Sequence, residues 1–174
     1  MNLSIVPYVF PPISLLTGEQ LDNLENNYRR KNKVTGGRWS LSEVLQEKQR
    51  RLADENDGES VFRFILANSR RSPDLRTTYA DIHRAIRPNK RWTGNSSQRL
   101  VNRALHGAIQ YCVANNHPIV TSLVVQTETR QLAQDAIENI YETCRTLGCD
   151  VGPSAYNFVA RQIASSRQLV RVLH

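Results

Sequence analysis

Residues 77–126 read TTYADIHRAIRPNKRWTGNSSQRLVNRALHGAIQYCVANNHPIVTSLVVQ, and this stretch decides the fold. Thr78 followed by Asp81 is a capping pair, so a short helix starts near Tyr79. Tyr79, Ile82 and Ile86 recur at helical spacing and face inward, leaving Arg84 and Arg87 outward. Arg87 to Gly94 (RPNKRWTG) is longer than the turn of about 3–4 residues in a simple helix-turn-helix. Asn95 or Ser96 then caps a second helix that runs to about Asn115. Its apolar stripe is Val101, Ala104, Leu105, Ala108, Ile109 and Cys112. His117-Pro118 ends it, and Ile119 to Val125 is rich in β-branched residues, so a strand is expected. Helix, turn, longer helix and strand is the order of a winged helix.

The polar face of the longer helix carries Gln98, Arg99, Asn102, Arg103 and His106. Gln, Asn and Arg can bond a base edge at two points, and Arg also clamps phosphate. Arg99 and Arg103 are four residues apart and project together. Trp92 suits a core plug, the commoner fate of this side chain, with stacking on a base or sugar as the alternative. The candidate nucleic-acid contacts are Arg84, Arg87, Lys90, Arg91, Trp92, Asn95, Gln98, Arg99, Asn102 and Arg103.

The charge distribution points the same way. The chain of 174 residues has a net charge of +7. Residues 76–125 hold 7 basic side chains and 1 acidic one, whereas residues 1–75 hold 11 and 10, and residues 126–174 hold 5 and 5. A net excess of positive charge that sits almost wholly in one block suits a polyanion, because each neutralised phosphate releases counterions. A solvated basic face without a partner is the plain alternative.

Outward from this block, the expected organisation is an N-terminal helical segment (1–75), a winged-helix-like core (76–126) and C-terminal helices packed on it (127–174). Pro7, Pro11 and Pro12 forbid a regular helix at the start. The apolar strip from Ile5 to Leu16 needs cover, either from the domain or from a partner. Thr17 with Gln20, and Ser40 with Glu43, have capping-box spacing and start two helices. Leu21, Leu24 and Tyr28 form the stripe of the first, and Leu41, Val44, Leu45 and Leu52 that of the second. The cluster Arg29, Arg30, Lys31 and Lys33 suits either a helix C-terminus or phosphate contact. A third helix spans about Glu59 to Ser69, with Val61, Phe62, Ile65 and Leu66 inward. Helices are also expected over Thr129–Leu147 and from Ser154 towards Leu173. The expected fold is therefore mainly α, with one or two short strands.

Thr78-Tyr79-Ala80-Asp81-Ile82, Arg99-Leu100-Val101-Asn102-Arg103-Ala104 and Asn116-His117-Pro118-Ile119 together resemble the DNA-binding domain of alkylguanine DNA alkyltransferases and their alkyltransferase-like relatives. The likeness covers roughly fifty residues of the 174. It implies a winged helix in the minor groove, with Arg99 at the position of the arginine that inserts into the base stack. Where the family has its cysteine and histidine, this chain has Thr121-Ser122-Leu123-Val124. The resemblance therefore implies DNA binding without alkyl transfer.

No run of residues has the length and apolarity of a membrane helix. The three cysteines, Cys112, Cys144 and Cys149, are too few and too irregular for a disulfide framework, so a reducing cytoplasmic location is expected. Their spacing fits no paired zinc-ligand pattern, and no phosphate loop or nucleophile elbow is present. No catalytic residue, metal or cofactor is expected. The leading expectation is a non-catalytic protein binding duplex DNA, a small transcription regulator or accessory factor, with a homodimer or a protein partner as possible assemblies. The alternatives are a protein-interaction module that blocks a nucleic-acid-handling partner, and an enzyme on nucleic acid with a site the sequence does not display.

Overall fold

A computed structural model describes residues 11–54 and 57–172. Ile5 to Phe10 of the apolar strip lie outside the described residues. The chain divides into two units, residues 1–48 and 49–174, and the division falls inside a helix.

The first unit is built by its caps. Thr17 accepts from Gln20 N–H and Gln20 accepts from Thr17 N–H, so helix α1 (Gly18–Arg30) opens on a complete capping box. A cap of this kind contributes about 1 kcal/mol. Asn32, at φ +48°, closes α1: Lys33 N–H reaches back to the Tyr28 carbonyl, and Asn32 N–H to that of Arg29. This is a Schellman motif, with Asn in the left-handed position that a short polar side chain tolerates. Helix α2 (Leu41–Ala53) starts on the Ser40–Glu43 pair.

Leu21, Tyr28 and Val44 are buried, but Leu45, expected on the inward stripe, is 38% exposed. Lys48 is half-buried instead. Its Nζ lies 2.7 Å from Asp22 Oδ1 and 2.6 Å from Glu25 Oε2. Burial alone would depress the Lys48 pKa, but these two carboxylates outweigh it and raise it. An amphipathic stem met by two acids can turn inward where period alone would place leucine.

The second unit is organised by helix α3 (Gly58–Arg71) against helix α5 (Asn95–Ala114). Asp57 caps α3 through Ser60 N–H at 3.0 Å. The expected inward residues Val61, Phe62, Ile65 and Leu66 are all buried. So are Val101, Ala104, Leu105, Ala108, Ile109 and Cys112 of α5. The two helices touch backbone to backbone at one point, where a Cβ on Gly58 would overlap the Gly107 carbonyl.

Strand β1 (Thr77–Thr78) leads into helix α4 (Tyr79–Ile86), whose capping box is Thr78 with Asp81. The core side of the segment is stitched to α3: Thr77 Oγ1 lies 2.8 Å from Ser69 Oγ. The expected strand over 119–125 is only partly one. Val120–Leu123 form a 3-10 turn, and strand β2 is Val124–Val125, paired parallel to β1 with Thr77 opposite Val124. Ile119 N–H is taken by the Gln162 amide at 2.9 Å, which holds the chain away from an extended ladder.

Helix α6 (Gln134–Thr146) begins five residues later than its apolar period suggests. The intervening turn explains the delay. Gln126 N–H bonds the Gln131 carbonyl, and Arg130 N–H bonds that of Gln126. Helix α7 (Ala155–Val172) follows, and Phe158, Val159 and Val170 complete the core. The result is mainly helical, with seven α-helices and one two-stranded parallel sheet among the described residues.

Candidate nucleic-acid interface

Since α5 buries one face on α3, its other face is fixed in direction. Arg99, Asn102, Arg103 and His106 are exposed there, and Gln98 is half-buried. Gln98 Nε2 donates to Asn102 Oδ1 at 3.0 Å, which orders both amides along the helix.

The turn before α5 brings Lys90, Arg91 and Trp92 to the surface. The expected cap at Asn95 or Ser96 is absent. Gly94 is the N-cap residue, at φ +55°, and supplies no side chain. Ser96 instead donates to the Thr93 carbonyl at 3.1 Å, and Ser97 Oγ accepts from Thr93 N–H at 2.8 Å. Both serines therefore bind the turn rather than the helix end.

His83 completes this arrangement, and the sequence reading missed it. It is buried, and its Nε2 lies 3.1 Å from Ser97 Oγ. Burial, and then the nearby Arg87 charge, lower its pKa below the ordinary value, so the ring is neutral at pH 7. Its one sequence signal was its place four residues after Tyr79, on the inward face of α4. Trp92 does not plug the core. It is 40% exposed, with its ring edge-on to His83 at 5.2 Å. His83, against which it rests, is buried.

The remaining cations divide into committed and exposed. Arg84 is exposed and 3.6 Å from Asp81. Arg87, half-buried at the end of α4, directs Nη1 towards the Ala53 and Ile86 carbonyls, each at 3.4 Å. Arg76 donates to the Arg130 carbonyl. Arg130 in turn bonds Asp74 through Nη2 at 2.5 Å and Nε at 3.1 Å, and Ser72 at 3.0 Å. This latch closes over two left-handed residues, Leu75 and Arg130. Such conformations cost about 1–2 kcal/mol each without glycine.

An open cleft of about 1230 Å³ runs beside the polar face of α5. Trp92, Gln98, Asn102, Arg103 and His106 line one side, and Asp135, Ala136 and Asn139 the other. Tyr79 and Thr121 also line it, as do Gln126, Thr127 and Glu128 of the turn after β2. Burial, and then the Asp135 charge, push the Tyr79 phenol up to about 12, so it stays protonated. The Thr121 hydroxyl is buried with no hydrogen-bond partner among the described residues. Of the ten predicted contacts, the cleft gathers Trp92, Gln98, Asn102 and Arg103. Arg84, Arg87, Lys90, Arg91, Asn95 and Arg99 are not among its lining residues.

At the position where the resemblance places a cysteine and histidine, Ser122, Leu123 and Val124 are all buried. The Ser122 hydroxyl has no partner among the described residues, so no base is bonded to it. Burial pushes the thiols of Cys112 and Cys144 up to about 11 and about 12. A thiol so raised holds little thiolate near pH 7. No described helix is long and apolar enough to cross a membrane. No cluster of three or more His, Cys, Asp or Glu among the described residues is placed to hold a metal. No family model, curated protein or solved structure matches the chain.

Proposed function

We propose that the protein binds duplex DNA through α4, the basic turn and α5, which act as the helix-turn-helix of a winged-helix-like unit. In this reading the turn after β2 serves as the wing. The observation that carries this reading is exposure: Arg99, Asn102 and Arg103 are exposed on α5, and Lys90 and Arg91 are exposed in the turn before it. These side chains suit phosphate and base edges together. The N-terminus of α5 adds its own partial positive charge, left without a side-chain cap.

The cleft extends the reading. Aromatic Tyr79 and Trp92, the amides of Asn102, Gln126 and Asn139, and the Thr121 hydroxyl, without a hydrogen-bond partner among the described residues, suit a planar group edged with donors and acceptors. A base displaced from a duplex is such a group. The buried Ser122 hydroxyl is bonded to no base among the described residues, which favours recognition over reaction, as in a small regulator or accessory factor.

A duplex-binding assay over a salt series tests this. Affinity is expected to fall steeply with salt, and Arg99→Ala and Arg103→Ala to weaken it. Absent or salt-insensitive binding overturns the proposal.

A further inference from the structure

We infer that the loop from Arg29 to Trp39 in the first unit is a second contact for the DNA backbone, separate from the α5 face. Residues 26–39 contain five cations (Arg29, Arg30, Lys31, Lys33 and Arg38) and no carboxylate. Every residue from Arg29 to Arg38 is exposed. Helix-dipole compensation accounts for Arg29 and Arg30, which lie in the last turn of α1. It does not account for Lys33 and Arg38, which lie beyond the Schellman closure at Asn32. The neighbouring acids are also engaged. Glu25 holds Arg29 at 2.7 Å and Lys48 at 2.6 Å, and Glu43 holds the start of α2. The loop's own sequence thus supplies cations and no carboxylate.

The loop is also built. The Tyr28 hydroxyl donates to the Trp39 carbonyl and accepts from Gly37 N–H at 3.0 Å. A Cβ on Gly37 would lie 2.5 Å from that hydroxyl, so a side chain there would displace the end of the Tyr28 ring. Leu41 N–H bonds the Val34 carbonyl at 2.9 Å. The Arg38 guanidinium lies over the Trp39 ring at 5.6 Å. A pinned loop presents its cations at lower entropic cost than a loose tail. A loop that presents cations and no carboxylate suits phosphate oxygens.

The inference takes its polyanion from the proposed function, and a two-armed experiment separates the two ideas. The full-length chain is titrated with a thirty-base-pair duplex across a salt series, alongside Lys31→Ala/Lys33→Ala/Arg38→Ala and Arg99→Ala/Arg103→Ala. The loop variant is expected to lose about tenfold in affinity and to flatten the salt slope by about 2–3, as three lost phosphate contacts require. Lys31→Arg/Lys33→Arg, which keeps the charge, should bind as the unsubstituted chain does. Should the triple variant melt early, Lys31→Gln/Lys33→Gln replaces it and leaves Arg38 on Trp39. An unchanged slope in a folded loop variant overturns the inference, whatever the α5 variant does. A changed slope there with an unchanged α5 variant keeps the inference and removes the α5 reading. No binding by the unsubstituted chain removes both.

Discussion

The two faces of α5 share twenty residues and obey different rules. On one face Val101, Ala104 and Ala108 are wholly buried, and Gly107 meets Gly58 without room for a methyl group. On the other, Arg99, Asn102 and Arg103 are exposed beside an open cleft. The buried face fixes where the helix lies and which way it is turned. The exposed face presents polar and charged side chains to solvent. A second contrast runs within the arginines themselves. Arg76 and Arg130 are spent on closing the chain over Leu75, whereas Arg99 stands exposed on α5. Charge accounting in the sequence gives Arg76 and Arg99 equal weight, and the structure does not.

The sharpest way to break the contrast is Gly58→Ala. It forces the α3–α5 crossing apart and should cost about 3 kcal/mol in urea denaturation. Next comes Arg99→Ala/Arg103→Ala. Its DNA affinity should fall about 10–100-fold and its salt slope by about 2, while stability stays within about 0.5 kcal/mol of the unsubstituted chain. If that variant melts early, the exposed face is structural after all and the contrast fails.

Thr121→Val is subtler. Replacing a buried hydroxyl that has no hydrogen-bond partner among the described residues should leave stability level or raise it by up to about 1 kcal/mol. Binding to a duplex with one unpaired base should weaken several-fold, and binding to a fully paired duplex should not. Equal weakening on both duplexes removes the cleft from the reading.

The smallest effect belongs to the latch. Burial alone would raise the Asp74 pKa, but the Arg130 and Ser72 hydrogen bonds and the Arg130 and Arg76 charges bring it down to about 2. A depressed carboxylate stabilises the fold above its unfolded pKa of 3.8 and loses that contribution as pH falls towards about 2. Both partners are more than a third exposed, 39% for Arg130 and 37% for Asp74, so solvent screens the pair and the effect is modest. Acid titration of stability should show a step in that window, and Arg130→Ala should remove it.

Local rules located the helices because caps and periods are short-range. Thr17 with Gln20, Ser40 with Glu43, and Thr78 with Asp81 each open a helix where their spacing says they should. The apolar stripes of α3 and α5 are buried residue for residue. The same rules failed where a distant partner competes. Leu45 gives way to Lys48 because Asp22 and Glu25 stand on the neighbouring helix. The strand expected from Ile119 shrinks to Val124–Val125 because Gln162 takes an amide. The Asn95/Ser96 cap is lost because Ser96 and Ser97 turn back to Thr93, with His83 beneath Ser97.

By itself the sequence determined the helical class, the starts of α1, α2 and α4, the polar face of α5 and the net positive charge of residues 76–125. Each follows from spacing along the chain, which short-range backbone chemistry reads directly. Tertiary structure alone decided that Trp92 lies outside the core, that Arg76 serves a latch, that β1 and β2 run parallel, and that Tyr79, Asn102 and Thr121 border one cleft. Each of these depends on which side chain reaches a given space first, and that competition is between residues far apart in the chain.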